Sequence, residues 1–355
     1  MTAYSIWAPS RKGRAMKLRI LAAVASMGLL AAACSSSSSS SSTASSSGSS
    51  TAPVPISVTM TSWVGYGLFH LAEEKGFFDD HGVDMTIKVV EDEANNPAAL
   101  ASNQIQGDLT TVDTNVRSIA ASVDLVQVMA VDDSNGADGI VGTADIQTVN
   151  DLAGKKVGVK VGATSYVFLL SVLKDAGMTV DDIQIVDMNP GEAGTAFVAG
   201  QLDAAVTWEP FLSKATQREG GHVVISSKDA PGLIVDSLAL RRDWADANPA
   251  AVTGLIQAYN EAYDFWKSNP DQAWPIMAES QGLSVDDYKA AAEGVTFYGP
   301  QDMATFMNAP IDQTGILKLT SYINDFWVAE GVIPAPIDPA AAINGSFSQD
   351  ALQGM

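Results

Sequence analysis

The sequence predicts an α/β protein of two similar lobes followed by a mostly helical tail. Three observations carry that reading. From Ile56 onward, short β-rich runs alternate with stretches of helical periodicity. The alternation occurs twice, once from Ile56 and again from near Ile146, in two series of similar length and order. Past about Asp243 the β signal gives way to helical patterns. No residue-level repeat relates the two series, which suits two similar lobes rather than a tandem array.

The run ISVTM opens the first series as a strand. GLFHLAEEKGFF follows with apolar residues at helical spacing and Gly76 near its end, a helix-stop signal. MTIKVV reads as a strand, PAALASNQ as a short helix, GDLTTV as a strand, TNVRSIAAS as a helix and LVQVMAV as a strand. This order implies a parallel, layered sheet. In the second series, KKVGVKV is a strand and TSYVFLLSVLKDAG a helix closed by Gly177. DIQIVDM, the helix GEAGTAFVAGQ and the strand LDAAVTW follow, and HVVIS and LIVDSLAL add further β signal. The tail contributes the helical stretches PAAVTGLIQAYNEAYDFWKSNP, DQAWPIMAES, VDDYKAAAEGV and TGILKLTSYINDFWVAEG.

Ahead of all this stands LLAAACSSSSSSSSTASSSGSS, which holds the only cysteine, Cys34. Upstream lie Arg11, Lys12, Arg14, Lys17 and Arg19, then an apolar run whose residues become small before Cys34. That is the layout of a secretory signal, and the run is shorter than the roughly 20 residues a spanning helix needs. A cysteine directly after small residues resembles the bacterial lipobox, which implies signal removal after residue 33 and lipidation of Cys34. An ordinary signal peptide cut near Ala33 is the alternative, and Met16 could open a shorter signal. Residues 34–55 then form a serine-rich tether. At about 5–6 Å times the square root of its length, the low-complexity part spans roughly 20–25 Å, enough to hold a soluble body off a membrane.

The chain has 20 Lys+Arg against 41 Asp+Glu, a net charge of −21. Residues 1–33 carry five of the basic residues and no acidic one, so the body is more acidic still. Such a surface repels phosphate backbones and anionic lipid, which excludes nucleic-acid binding. One cysteine allows no internal disulfide, and His70, His81 and His222 show no metal-ligand spacing, so no cofactor or metal is expected.

Candidate ligand contacts sit where strands end, because ligands of open α/β sheets bind outside the carboxyl ends of strands. TSWVGYG places Trp63, Gly65, Tyr66 and Gly67 at such a point, as an aromatic wall or as a structural turn with core aromatics. VKVGATSYVFLL takes Gly162, Ala163, Thr164, Ser165 and Tyr166 from strand to helix N-terminus. There, free N–H groups and hydroxyls favour an anion or simply cap the helix. In VDDSNGADGIV, the residues Asp132, Asp133, Ser134, Asn135 and Asp138 form a surface turn or a crossing between lobes with 134–137 facing the cleft. AAVTWEPF delivers Trp208 for stacking and Glu209 for charge to the end of a strand, unless Trp208 is core and Glu209 solvated. PGLIVDSLAL buries Asp236 in an apolar strand, where an acid needs a partner.

SWVGYGLFHLAEEKGFFDDHGVDMTI, LAGKKVGVKVG, AFVAGQLDAAVTWEP and LRRDWADANPAAV together resemble the substrate-binding proteins of ABC importers. The nearest group is the taurine, aliphatic sulfonate and nitrate type, within the superfamily that also binds thiamine pyrimidines. The resemblance runs from about Ile56 to Ser268. It implies a two-lobed periplasmic-binding-protein-like fold of two doubly wound sheets with a hinge. Residues 56–142 and 240–355 would form one lobe and 143–239 the other. It further implies a monomer that captures a small solute and delivers it to a permease and its ATPase. The chain would be held on the extracytoplasmic face of the cell membrane by its lipid alone. The pyrimidine synthases of the superfamily carry a cysteine-rich iron motif and a histidine near the position of Tyr66–Gly67; this chain has neither, so no catalysis is expected. Binding of a pyrimidine precursor, or a sensory lipoprotein without a transporter, are the alternatives.

Oxyanion binders often supply arginine, whose fork matches such oxygens. None stands in the motifs assigned to the cleft: Arg117 belongs to a helix, and Arg241 and Arg242 read as solvent-facing. Those motifs offer Asp133, Glu209 and Asp236 beside Trp63, Tyr66 and Trp208, which suits a cationic, zwitterionic or aromatic solute. A taurine-like zwitterion would set its anion at Thr164–Ser165 and its amine near an acid and Trp208.

Overall fold

The computed structural model describes residues 52–354, so the signal, Cys34 and nearly all of the tether lie outside the described residues. Two mixed sheets organise the body. The first has the order β11-β4-β10-β3-β1-β2 and the second β7-β6-β8-β5-β9. In the first sheet, β1 (Val54–Met60), β2 (Val83–Val89) and β3 (Gly107–Thr111) run parallel. β4 (Leu125–Ser134), β10 (Val235–Arg241) and β11 (Val295–Phe297) add antiparallel pairs: β10 with β3 and β4, and β11 with β4. In the second, β6 (Lys156–Val159) is parallel to β7 (Gln184–Asp187) and β8 (Ala204–Trp208). β5 (Asp138–Gly142) is antiparallel to β8 and β9 (His222–Ser226).

The strand–helix alternation held for most elements, but the expectation of a purely parallel sheet did not. The chain leaves the first sheet along β4, enters the second as β5, and returns along β10. A strand carrying the chain out and one carrying it back lie antiparallel when they are neighbours, so β4 and β10 pair that way. No helix separates β4 from β5, and the polar stretch between them reads as a turn because its β signal is short. VDDSNGADGIV is therefore two strand ends and the crossing between them.

At that crossing Ser134 Oγ shares a hydrogen bond with Ser227 Oγ at 2.8 Å, tying it to the returning crossover. Ser227 Oγ also accepts from Gly136 N–H (2.7 Å), and Ser134 Oγ accepts from Asp138 N–H (3.1 Å). Ser134, Ser227 and Asp138 are all buried, which makes the hydroxyls obligatory acceptors for backbone that would otherwise be unpaired.

Each sheet has its own core. Helix Gly67–Lys75 closes on Gly76, whose φ of 80° is the left-handed cap that glycine adopts without strain. It packs with helix Pro249–Ser268 on the first sheet, Phe69 lying 5.4 Å from Tyr259 between ring centroids. Helix Ile316–Ala329 adds Trp327 to the same core. The second sheet is covered on both faces. Helix Thr164–Asp175 buries Phe168 and Leu169 against Val157 and Val159; helix Pro190–Val198 buries Phe197 with Leu202 and Leu212. Emptying the Phe168 site would cost roughly 3–5 kcal/mol.

Candidate functional site

The ends of strands from both sheets enclose a chamber. Thr61, Trp63 and Tyr66 come from the turn after β1, Thr110 and Thr111 from the end of β3, and Asp236 from β10. Glu93 lies in the short turn after β2. From the second sheet come Asp138 at the start of β5, Trp208 at the end of β8 and Thr164 at the head of its helix; Ile234 completes the wall. The space left for water-sized occupants is ≈ 30 Å³.

The first-sheet side is a stack of acids. In register, Asp236 lies between Thr111 on β3 and Asp132 on β4. Tyr66 Oη donates to Asp236 Oδ1 at 2.5 Å, and Trp63 Nε1–H donates to Asp132 Oδ1 at 3.1 Å. Asp132 Oδ2 is buried with no hydrogen-bond partner, and Asp236 is its neighbour across the β4–β10 pairing. Burial pushes Asp236 well above the carboxylate range, and the charge of Asp132 pushes it further. Burial likewise raises Asp132 and Asp138 to about 7, Glu93 to about 8 and Asp108 to about 6. Gly65 makes this packing possible: a Cβ there would stand 2.3 Å from both Asp132 Oδ2 and Trp63 Nε1.

Across the chamber the polar groups bond to the opposite wall. Thr164 Oγ1 donates to Asp113 Oδ1 at 2.9 Å and lies 2.8 Å from Thr111 Oγ1. The head of the second-sheet helix is thereby joined to the head of helix Val112–Ala120. Next to the chamber runs a groove of ≈ 300 Å³ that shares Glu93, Thr164 and Trp208 with it and adds Arg117, Lys160, Gly162, Ala163 and Asn189. Arg117 Nη2 donates to Thr114 Oγ1 (2.9 Å), while its buried Nε has no acceptor. Lys160 Nζ stands 3.6 Å from Asp187.

Trp63, Tyr66, Thr164, Trp208 and Asp236 thus meet in the chamber, with Gly65 immediately behind and Gly162 on the groove. Other candidates do not line it. The carboxylate of Glu209 accepts Ser213 N–H (3.2 Å) and Ser213 Oγ–H (2.7 Å), capping helix Phe211–Ala215 instead of facing a ligand. Asp133 accepts Gly232 N–H at 3.3 Å. Ser134 belongs to the crossover, Asn135 is exposed with its N–H on Gly294 O, Ser165 is buried off the lining, and Tyr166 is half-buried outside it. The sequence reading missed Thr61, Glu93, Thr110, Thr111 and Ile234, and named Asp138 without choosing it. The strand-end rule applied to VVEDE and GDLTTV would have found Glu93 and the threonines. Arg117 also comes closer to the cleft than its helical context suggested, because the helix begins at the end of β3 and Arg117 sits little more than a turn into it.

Among the described residues no group of three His, Cys, Asp or Glu is placed to hold a metal ion, and no helix is long and apolar enough to cross a membrane. The family model described as NMT1/THI5 like matches residues 66–273. A protein of Brucella abortus described as a binding protein is 27% identical over 278 residues, 78% of this chain and 85% of that one. The taurine-binding periplasmic protein of Escherichia coli is 24% identical, over 67% of this chain and 75% of its own length. The crystal structure of the periplasmic aliphatic sulphonate binding protein SsuA of Escherichia coli superposes with a TM-score of 0.70 at 22% identity, covering 84% of this chain and all of SsuA, so the two share a fold.

Proposed function

The chain belongs to the NMT1/THI5 like family, and from that premise we propose that it is the solute-binding component of an ABC importer. It captures a small polar organic solute, a taurine- or sulfonate-like zwitterion or a related amine, and hands it to a permease. The body is a monomer carried on the extracytoplasmic face of the cell membrane by a lipid on Cys34. One lobe is built on the first sheet and the other on the second, with β5 (Asp138–Gly142) going to the second lobe and β10 (Val235–Arg241) to the first, a few residues off the sequence-derived bounds 142 and 240. The observation that carries this reading is the chamber itself: both sheets contribute walls to it, and both chain crossings lie beside it. A ligand that touches both walls stabilises the arrangement in which they meet, and a permease can read that arrangement.

A nitrogenous heterocycle such as a pyrimidine precursor is favoured as a second reading by one feature. Trp63, Tyr66 and Trp208 offer flat faces beside carboxyls that can donate as well as accept when protonated. The experiment is a thermal-shift screen of solutes on the body from residue 52, followed by solution scattering. A hit should raise the melting temperature by mass action and compact the protein. Scattering curves that coincide with and without saturating hit would overturn the hinged receptor. Cys34→Ala should move the full chain out of the membrane fraction and leave affinity unchanged; equal partitioning removes the lipid anchor from the reading.

A further inference from the structure

The chamber and the adjoining groove differ in charge, and the difference assigns an orientation to the ligand. Three carboxyls, Glu93, Asp138 and Asp236, line the chamber, and no Lys, Arg or His lines it. Three more carboxyls, of Asp108, Asp113 and Asp132, are buried close behind. Glu93 Oε1 is buried without a donor. Acids taken out of water and left without a cation are costly, and only protonation or a cation from outside relieves them. An oxyanion in the same space would face all three carboxyls. The basic side chains, Arg117 and Lys160, stand in the groove instead, beside the N-terminus of helix Thr164–Asp175. Trp208 borders both spaces, and its buried Nε1–H has no acceptor.

We propose that this receptor requires a cationic solute: an ammonium or amidinium head group enters the chamber between Asp138 and Asp236, and the acidic end of the same molecule lies in the groove against Arg117, Lys160 and Trp208 Nε1–H. The proposal deepens the solute-binding reading above and rests on it. The sizes agree. The chamber has room for a head group of water-like size, and the groove, at ≈ 300 Å³, holds the remainder. The walls agree as well, because Trp63, Tyr66 and Trp208 line the chamber, and an aromatic lining suits a cation. Simple alkylsulfonates and nitrate, which have no cationic end, are excluded by this arrangement.

Proton release gives a second signature. Asp236 feels Tyr66, Asp132 and Asp113; Asp138 feels Ser134, Asp236, Asp113 and Glu209; Glu93 feels Asp108, Thr110, Asp113 and Arg117. Apart from Arg117 beside Glu93, those neighbours are acids or neutral groups, so near neutral pH the empty chamber is partly protonated. An entering cation displaces those protons.

The test is calorimetry with probes of three charge classes: taurine and 4-guanidinobutyrate as zwitterions, butylamine as a cation, ethanesulfonate and nitrate as anions. The expected result is binding confined to solutes with a cationic end. Heats should depend on the ionisation enthalpy of the buffer, showing proton release near pH 7. Asp138→Asn and Asp236→Asn should each weaken the zwitterion by about thirty-fold or more; Asp138→Asn is the safer variant, because Asp236 also accepts the Tyr66 hydroxyl. Lys160→Gln should weaken the zwitterion and leave butylamine unchanged. Binding of ethanesulfonate or nitrate as tight as that of taurine, or tighter binding by Asp138→Asn, overturns the cation chamber while leaving a receptor in place. Absence of binding by every class overturns both the chamber and the receptor.

Discussion

The turns 61–67 and 160–166 have the same sequence form, a strand that breaks at glycine and re-forms as a helix, and they do opposite things. The first aims its side chains into the chamber: Trp63 and Tyr66 line it while reaching Asp132 and Asp236. The second puts Thr164 on the chamber but commits its hydroxyl to Asp113 and Thr111 on the facing wall. The strand-end rule finds both places. It does not tell which polar atoms are still available there, because that depends on what the other sheet presents. One turn presents its rings to the chamber, and the other clasps the two walls together.

The largest expected effect separates the two turns electrically. The acids beneath the first are held protonated by burial, so between the ordinary carboxylate range and about pH 7–8 the folded state binds protons that the unfolded chain has lost. Stability of the ligand-free body must then fall as pH rises through that window and level off above it. One acid moved from 3.8 to about 7, as Asp138 is, contributes on the order of 4 kcal/mol. Asp145, Asp151 and Asp243, which are exposed and held low, titrate below the window. Urea midpoints measured from pH 4.5 to 8.5 check this. A flat or rising profile would place the acids in contact with water and remove the contrast.

Next comes the glycine of the first turn. Gly65→Ala drives a methyl into the Asp132 carboxyl and the Trp63 indole, both anchored. Overpacking of this kind costs about 1–3 kcal/mol, and binding should be lost with it because the Trp63 ring and the Asp132 carboxyl both shift. Denaturation and calorimetry of the variant report the two effects separately. Wild-type affinity would show that Trp63 tolerates displacement and takes no part in the proposed binding.

Thr164→Val breaks the clasp while keeping the shape. Asp113 loses a donor in a buried setting, at a cost of about 2 kcal/mol. The ligand-free protein should also become less compact by scattering, and Thr164→Ser should restore it. Equal scattering by Thr164→Val and wild type would mean that other contacts hold the walls together. The smallest effect is at the glycine of the second turn. Gly162 has φ 74° but open space around it, so Gly162→Ala should cost only about 1 kcal/mol and leave affinity near wild type.

How much of this was legible in the sequence follows from the range of each signal. Strands β1, β2, β3, β8 and β10 announce themselves by β-rich runs between turn formers, and the helices by apolar spacing, so the two-series architecture could be read directly. β5 and β11 could not, since a strand of five or three residues beside glycines depends on its partners more than on its own composition. In the site, the aromatic residues were readable as rings at strand ends, and Trp63 and Tyr66 both line the chamber and belong to the core of the first sheet. Charges were read less well. Glu209 looked like the ligand's acid, but Ser213 four residues later turns it into a helix cap. Glu93 has no local signal that sets it apart from Glu91 and Asp92, and only the fold carries it to the chamber.

The serine pair at the crossovers has a mechanical consequence. Two chain segments that pass between the sheets and are fastened to each other at Ser134–Ser227 behave like the pin of a pair of scissors. Sliding of one sheet over the other would break the hydroxyl pair and strand the amides of Gly136 and Asp138, whereas opening and closing turns both crossings about the pair and keeps it intact. Rotation about the pair is therefore the relative motion these bonds oppose least. Under the proposed function, a solute of only a few atoms would act mainly on that one angle, and the outer rims of the jaws would move furthest.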